Sequence, residues 1–289
     1  MSNVGILDLP KLPSEIKRAI DDDNGKLAIF IGAGVSRLIG CDGWDDLAQN
    51  LVKKCAEKNY IIPITKESLL KESDQVKLIS ICYNIFDEKK DKDSFISAMK
   101  ESLKDEEVDT LVQNQKKFQI YRDLKDIGDT FITTNADRFI DKLFGNPNVI
   151  FKDTDLKKNN ISNSILYKIH GCVSEPSSLV FTQNRYVETY TDRNFIEFIQ
   201  QFFDKYTVLF VGYGLNEFDL LSKILAKKNT KEGSSKHLLL KPYYQHQEEL
   251  YHLESRYFSD LNIKLIPFAR DKKDYSQLIE IINNWKEEI

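Results

Sequence analysis

The amino-acid sequence predicts an α/β fold in which a mostly parallel sheet carries helices on both faces. Short apolar runs recur along the chain, helix-like segments separate them, and glycine or polar residues follow several runs directly. Continuous apolar runs are typical of strands that are buried on both faces, and intervening helices are the usual crossovers of a parallel sheet. The expected class is Rossmann-like, with a helical insertion.

Six apolar runs predict a six-stranded sheet. These strands are Leu27–Ile31, Thr130–Thr133, Ser164–Ile169, Thr207–Val211, His237–Leu240 and Ile263–Phe268. Helical periodicity predicts helices over Trp44–Lys58, Asp192–Tyr206, Glu217–Lys227, Gln245–Phe258 and Tyr275–Lys286, and another that begins near Arg138. Asp192 is suited to cap the helix that follows it.

The stretch from 65 to 125 has a charged helical pattern and no convincing strand. We therefore expect one domain over residues 1–289. Its Rossmann-like core comprises residues 1–64 and 126–289, and residues 65–125 form an inserted helical subdomain.

Composition excludes several classes of function. The formal net charge is -4 and no long basic stripe occurs, so direct binding to nucleic acid is not expected. The apolar runs are much shorter than the roughly 20 residues that span a bilayer, and the N-terminus lacks a secretion signal. We expect a cytoplasmic protein that does not contact a membrane.

The four cysteines are scattered along the chain without a Cys-x-x-Cys pair. Neither a zinc site nor a disulfide framework is therefore indicated, and buried, reduced thiols are the expected state. No metal is predicted.

Polar motifs follow the first three predicted strands. They are Gly32–Ser36, Thr134–Asp137 and the pair His170-Gly171. In an open parallel sheet, ligands bind outside the carboxyl ends of the strands, so the three motifs are expected to meet at one site. The glycine loop alone is equally compatible with a tight turn, because the third glycine of the dinucleotide fingerprint is missing.

This ordered set resembles the sirtuin superfamily, which has a Gly-Ala-Gly-x-Ser loop, a Thr-x-Asn-x-Asp segment and a His-Gly pair. The chain is more similar still to a divergent bacterial branch found in anti-phage defence systems. In that branch a Gly-x-Pro-x-Trp segment follows the loop and a Gly-aromatic-Ser turn comes late. Here these segments are Gly40–Trp44 and Gly212–Gly214, with Asp42 in place of the proline and Gly214 in place of the serine.

The resemblance implies cleavage of the bond between nicotinamide and ribose in NAD, which is a substrate. Asn135 would hold the ribose or orient the attacking water, His170 would act as general base, and Asp137 would bind the nicotinamide carboxamide. Asn135 and Asp137 also suit a helix start, where Asn and Asp commonly cap.

Further positions would hold the rest of the NAD molecule. Trp44 would line the nicotinamide pocket, although a core position on its helix is equally compatible with the sequence. Gly212 and Tyr213 would meet the adenosine half. The remaining cofactor-binding positions implied by the resemblance are Gly32, Ala33, Gly34 and Ser36.

The function expected from this resemblance is that of an NAD glycohydrolase acting as the effector of an anti-phage, abortive-infection system. An NAD-dependent protein deacylase and a non-catalytic module that senses NAD or ADP-ribose remain alternatives. Because unrestrained hydrolysis would deplete the cell of NAD, we expect control through a homo-oligomer or a regulatory partner subunit acting in trans. An ATPase, an Argonaute-like protein and a nucleotide-sensing protein are the partner classes implied.

Overall fold

A single sheet of parallel strands forms the centre of the protein. The computed structural model describes residues 6–22, 26–145, 148–152, 154–157, 161–213 and 236–289. Within them the sheet has seven strands in the order β3-β4-β2-β1-β5-β6-β7, and all neighbours are parallel. The strands are β1 (Leu27–Ile31), β2 (Thr130–Thr133), β3 (Val149–Ile150), β4 (Leu166–Lys168), β5 (Thr207–Val211), β6 (His237–Tyr243) and β7 (Ile263–Ala269). The predicted α/β, Rossmann-like class is confirmed, with seven strands rather than six.

The additional strand, β3, lies at one edge of the sheet and was missed because it has only two residues. Val149 and Ile150 pair with Leu166 and Tyr167 of β4. Two apolar residues do not form a run that periodicity can detect. The predicted strand Ser164–Ile169 is correspondingly shorter in the structure, where only Leu166–Lys168 is paired.

The helices of the described residues lie mainly on the two faces of the sheet. They are α1 (Ser14–Asp21), α2 (Ala33–Leu38), α3 (Trp44–Glu57), α4 (Pro63–Leu69), α5 (Gln75–Glu88), α6 (Lys92–Ser102), α7 (Val108–Gln113), α8 (Gln115–Ile127), α9 (Gln183–Thr191), α10 (Arg193–Lys205), α11 (Glu248–Ser259) and α12 (Gln277–Glu287). Asp192 caps α10 as predicted, because its carboxylate accepts a hydrogen bond from the Phe195 amide at 2.8 Å. The predicted helix Glu217–Lys227 lies outside the described residues. No helix among those given is both long and apolar enough to span a bilayer.

A helix does begin near Arg138, as predicted, but it is a single short 3₁₀ turn rather than an α-helix. A 3₁₀ helix over Ile140–Leu143 occupies this position. The Asp137 carboxylate accepts from the Phe139 amide at 3.1 Å, and the Asp137 carbonyl accepts from the Lys168 ammonium. Both groups of Asp137 are thus engaged outside a regular α-helical hydrogen-bond pattern.

Three apolar clusters make up the core. Helices α1, α8 and α12 cover one face of the sheet, and α10 and α11 cover the other. The third cluster joins α3 to α5 and α6. The helices between β1 and β2 therefore do not all pack on the sheet. Part of the 65–125 stretch, α8, packs against the sheet, whereas α5 and α6 pack on α3. The four cysteines are free and buried, as predicted.

The loop after β1 lies directly against the turn after β5. The Gly34 amide donates to the Gly212 carbonyl at 2.8 Å. Gly212 has φ +64°, and a Cβ there would lie 2.6 Å from the Val35 nitrogen. Any larger residue at Gly212 would therefore separate the two strand ends.

Replacing Gly212 by alanine should lower the free energy of unfolding by about 1–3 kcal/mol, because it combines an unfavourable φ with a backbone clash. Gly145→Ala is the matched control, since a Cβ at Gly145 meets nothing within 4 Å. Chemical denaturation measures both variants. Equal free energies of unfolding for the two variants would contradict the conclusion that the contact at Gly212 excludes a side chain.

A buried histidine at the start of β6 makes stability depend on pH. His237 accepts from the Val208 amide through Nδ1 at 3.2 Å, and burial lowers its pKa from 6.5 to about 3. The unfolded chain therefore binds a proton at this position between pH 6.5 and 3, whereas the folded protein does not. This difference removes stability as the pH falls below 6.5.

The stability advantage of the wild type over His237→Gln should shrink by about 2 kcal/mol between pH 7 and pH 5, since only the wild type has this titrating group. Urea denaturation at the two pH values measures it. A constant difference would mean that His237 is not kept neutral by the fold. The exposed His246→Gln substitution should show no such change.

Candidate active site

The three polar motifs lie side by side at the carboxyl edge of the sheet. They follow β1, β2 and β4, which are adjacent. Thr133, the last residue of β2, donates its hydroxyl to the Ile31 carbonyl at 2.7 Å and accepts from the Asn135 amide at 2.9 Å. On the other side, the Val173 amide donates to the Ala136 carbonyl at 2.9 Å. The loop that carries Asn135 is thus held between its two neighbours.

Ser36 connects the first two motifs through a hydrogen-bond network. Its hydroxyl donates to Asp137 Oδ2 at 2.6 Å, and Asn135 Nδ2 donates to it at 2.9 Å. The Tyr121 hydroxyl lies 2.9 Å away. Because the single proton of Ser36 points to Asp137, Tyr121 must be the donor in this third contact. Burial raises the pKa of Tyr121 well above 10, so this donor keeps its proton.

Counting protons shows which atom of Asn135 is available to a ligand. Its Nδ2 donates to Ser36 and also to the Gly32 carbonyl at 3.1 Å. Both amide protons are therefore used, and the orientation of the amide is determined. The side-chain oxygen is left as an acceptor for a hydroxyl group or a water molecule.

Asp137 is a buried carboxylate supported by a buried cation. It is 2% exposed, and burial raises the pKa of its carboxyl, while the nearby Lys168 ammonium acts in the opposite direction. Lys168 is fully buried; its ammonium donates to the Asp137 carbonyl and pairs with Asp141 at 2.7 Å. Burial is the largest single influence and would lower the pKa of Lys168, but the charges of Asp141, Cys172 and Asp137 together with the hydrogen bond to Asp141 outweigh it and raise the pKa. Lys168 therefore stays charged and holds the loop of Asp137 in place.

His170 lies at the end of β4 in an aromatic environment. Its Nε2 is 2.8 Å from the Tyr190 hydroxyl, and the Tyr186 ring packs edge-on with centroids 5.1 Å apart. Burial lowers the pKa of His170 to about 3, so the ring is neutral at physiological pH. Nδ1 has no hydrogen-bond partner among the described residues. Gly171 follows with φ +80°, where a Cβ would lie 2.2 Å from the Ser178 carbonyl oxygen.

A shallow pocket that is partly open to solvent lies between the first two motifs. It is lined by Ala33, Ser36, Cys41, Asp42, Gly43, Trp44, Leu47, Leu103, Thr134, Asn135, Ala136, Asp137 and Phe181. The predicted positions Ala33, Ser36, Trp44, Asn135 and Asp137 thus meet in one cavity.

The remaining predicted positions lie outside this lining. Gly32, Gly34 and Gly212 form the contact between the β1 and β5 loops, and the Tyr213 ring packs on Phe30 at 4.7 Å. His170 is enclosed beside Tyr190, also outside the lining. Gly214 lies outside the described residues.

Phe181 and Asp42 are two of the eight lining residues to which the sequence assigned no role. Phe181 packs edge-on against Trp44, with ring centroids 4.8 Å apart. It follows an apolar stretch that carries no motif, so no sequence signal distinguishes it from a core residue. Asp42 had a signal, because it departs from the family's proline. Among the described residues, no cluster of three His, Cys, Asp or Glu side chains is arranged to hold a metal ion.

Removing the buried cation should destabilise the protein. Lys168→Met leaves Asp141 without its partner, and breaking a buried pair costs about 3–5 kcal/mol. Lys142→Met is the matched control, because Lys142 pairs with exposed Asp109 and its loss should leave stability nearly unchanged. Chemical denaturation of both variants measures the difference, and similar stabilities would show that Lys168 does not support the loop.

Comparison with known proteins agrees with this geometry. The family model of the SIR2-like domain matches residues 129–266, from the start of β2 into β7. This span includes Asn135, Asp137 and His170. No curated protein matches the chain. Residues 129–266, just under half of the chain, are therefore similar to the SIR2-like domain, and the parallel sheet and the convergence of Ser36, Asn135 and Asp137 at its carboxyl edge agree with this similarity.

Proposed function

We propose that the protein is an NAD glycohydrolase that cleaves NAD to nicotinamide and ADP-ribose. The observation that carries this proposal is the single pocket in which Ser36, Asn135, Asp137 and Trp44 meet. These residues come from separate segments of the chain, and one hydrogen-bond network joins three of them.

The pocket suits the nicotinamide end of NAD. Trp44 and Phe181 offer aromatic surface to a flat ring, and Asp42 and Asp137 supply negative charge. The nicotinamide ring of oxidised NAD is a cation, which both aromatic faces and carboxylates attract. Each carboxylate oxygen of Asp137 accepts one hydrogen bond and retains a further lone pair. The Asp137 carboxylate can therefore still accept a hydrogen bond from the nicotinamide carboxamide.

In the proposed reaction, the bond between ribose C1′ and the ring nitrogen breaks, and the electron pair leaves with nicotinamide as a neutral molecule. The oxygen of a water molecule bonds to C1′ and loses a proton. Asn135 orients this water, or a ribose hydroxyl, through its unused side-chain oxygen. Positioning a nucleophile in this way lowers the entropic part of the barrier.

His170 is the proposed acceptor of the proton. Nδ1 has no partner among the described residues, so it is available to a proton. With a pKa of about 3 the ring is neutral but a weak base, and the role therefore requires that contacts with the bound substrate raise this pKa towards neutrality. The role requires that the bound ribose reach this buried ring. Substitution of His170 therefore tests the proposed reaction more stringently than substitution of Asn135 does.

We further propose that NAD hydrolysis serves anti-phage defence, with control by a homo-oligomer or by a partner subunit in trans. The Gly40–Trp44 segment and the late Gly212-Tyr213 turn support this, because they resemble the defence branch. Purification of the native complex from its host, followed by mass spectrometry, tests it. A monomer that is isolated alone and is fully active would contradict control in trans.

Purified protein should release nicotinamide and ADP-ribose from NAD in equal amounts, and Asn135→Ala should lower kcat by about 100-fold or more, because the nucleophile is no longer oriented. His170→Ala should cause a loss of similar size. Liquid chromatography of the products measures turnover, and circular dichroism verifies the fold.

Asn283→Ala and His246→Ala are the controls, since neither residue lines the pocket, the Asn283 side chain makes an exposed contact with Glu287, and His246 is exposed. Their turnover should equal that of the wild type. Absence of nicotinamide release by the wild type, with its native partners present, would overturn the proposed function. Normal turnover by both site variants would overturn the residue assignment alone.

A further inference from the structure

We propose that Asp42 determines the redox form of the substrate, favouring the cationic ring of oxidised NAD over the neutral ring of reduced NAD. This inference rests on the proposed function, because it assigns the pocket to the nicotinamide end.

Two hydrogen bonds hold Asp42 in the wall of the pocket, and one of its carboxylate oxygens can still accept a hydrogen bond. Its amide donates to the Ser102 carbonyl at 3.0 Å, and its Oδ2 accepts from Asn50 Nδ2 at 2.8 Å. Its Oδ1 has no hydrogen bond among the described residues, and the side chain is half-buried. A carboxylate held in this way loses little conformational freedom when it meets a ligand.

Asp42 differs in this respect from Asp137, the other carboxylate of the lining. Asp137 is 2% exposed, and its two oxygens accept from Ser36 and from the Phe139 amide. Its charge is also offset by the Lys168 ammonium behind it. Asp42 is therefore the carboxylate with an unoccupied oxygen.

No cation lines the pocket beside Asp42, and the Lys104 ammonium, which lies outside the lining, interacts with Asp42 only through charge and more weakly than with Glu107. Neither lysine nor arginine is among its lining residues. Lys104, which follows the lining residue Leu103, is paired with Glu107 at 3.1 Å. A cationic ring between aromatic walls and this carboxylate gains both cation–π and charge attraction, whereas a neutral ring gains neither.

The reaction itself predicts which kinetic constant Asp42 affects. The ring loses its positive charge as the bond to ribose breaks, so Asp42 stabilises the bound substrate more than the transition state. Removal of its charge should raise KM and should not lower kcat.

Asp42→Asn is the test, and Asp46→Asn is the control, because Asp46 is exposed in the first turn of α3, the helix that follows the Asp42 loop. In Asp42→Asn, KM and Kd for oxidised NAD should rise up to about fivefold with kcat undiminished, because a charge contact that is still partly exposed to solvent contributes at most about 1 kcal/mol. The Kd for reduced NAD should not rise. Asp46→Asn should behave as the wild type, and Asp42→Glu should restore part of the preference. Asp42→Ser replaces the asparagine variant if that variant does not fold.

Calorimetric titration with oxidised and reduced NAD separates the two proposals. If the wild type cleaves NAD but Asp42→Asn keeps the same preference, the role of Asp42 is wrong and the proposed function stands. If the wild type binds NAD without cleaving it, the ratio of the two Kd values still decides the role of Asp42. Binding of neither form overturns both proposals.

Discussion

The Ser36 hydroxyl is the contact on which the geometry of the candidate site depends. It accepts from Asn135 and from Tyr121 and donates to Asp137, so its one proton and both lone pairs are used. Because no proton or lone pair of the hydroxyl is left over, which partner donates and which accepts is determined for all three hydrogen bonds. The orientation of the Asn135 amide, and hence the acceptor that a substrate meets, follows from it.

Two supports behind this network keep it in position. The contact of Gly34 with Gly212 joins the loops after β1 and β5, and it requires that no side chain intervene. Lys168 joins β4 to the loop after β2 through the Asp137 carbonyl and Asp141. Both supports are buried, and in a close-packed interior small displacements are resisted strongly. The site therefore belongs to the rigid part of the sheet edge.

The electrostatic properties of the site follow from burial more than from residue type. His170 and His237 both have a pKa lowered to about 3, although only His170 belongs to a motif. A lowered pKa thus does not distinguish a catalytic histidine from one that packs at the start of a strand. The two histidines differ at Nδ1, which in His237 accepts from the Val208 amide and in His170 has no partner among the residues that the structure describes.

Strand prediction succeeded where burial on both faces leaves a continuous apolar run, as in β1, β2 and β5. It failed for β3, which has two residues and depends on pairing with β4. The helix near Arg138 is only a short 3₁₀ turn, and here too a residue distant in sequence is involved. The Lys168 ammonium donates to the Asp137 carbonyl just before this turn. The pattern of neighbouring residues cannot predict contacts with residues that are distant in sequence and become close only in the folded protein.

By itself, the sequence determined the parallel α/β class, the strand ends that carry the motifs, and the residue types Asn135, Asp137 and His170 at those ends. Only the tertiary structure decided that Phe181 and Asp42 share the pocket with Trp44 and that His170 is enclosed beside Tyr190. The physical reason is that apolar periodicity is a property of neighbouring residues, whereas a pocket is formed by side chains from distant segments. Their contacts exist only after the sheet has assembled.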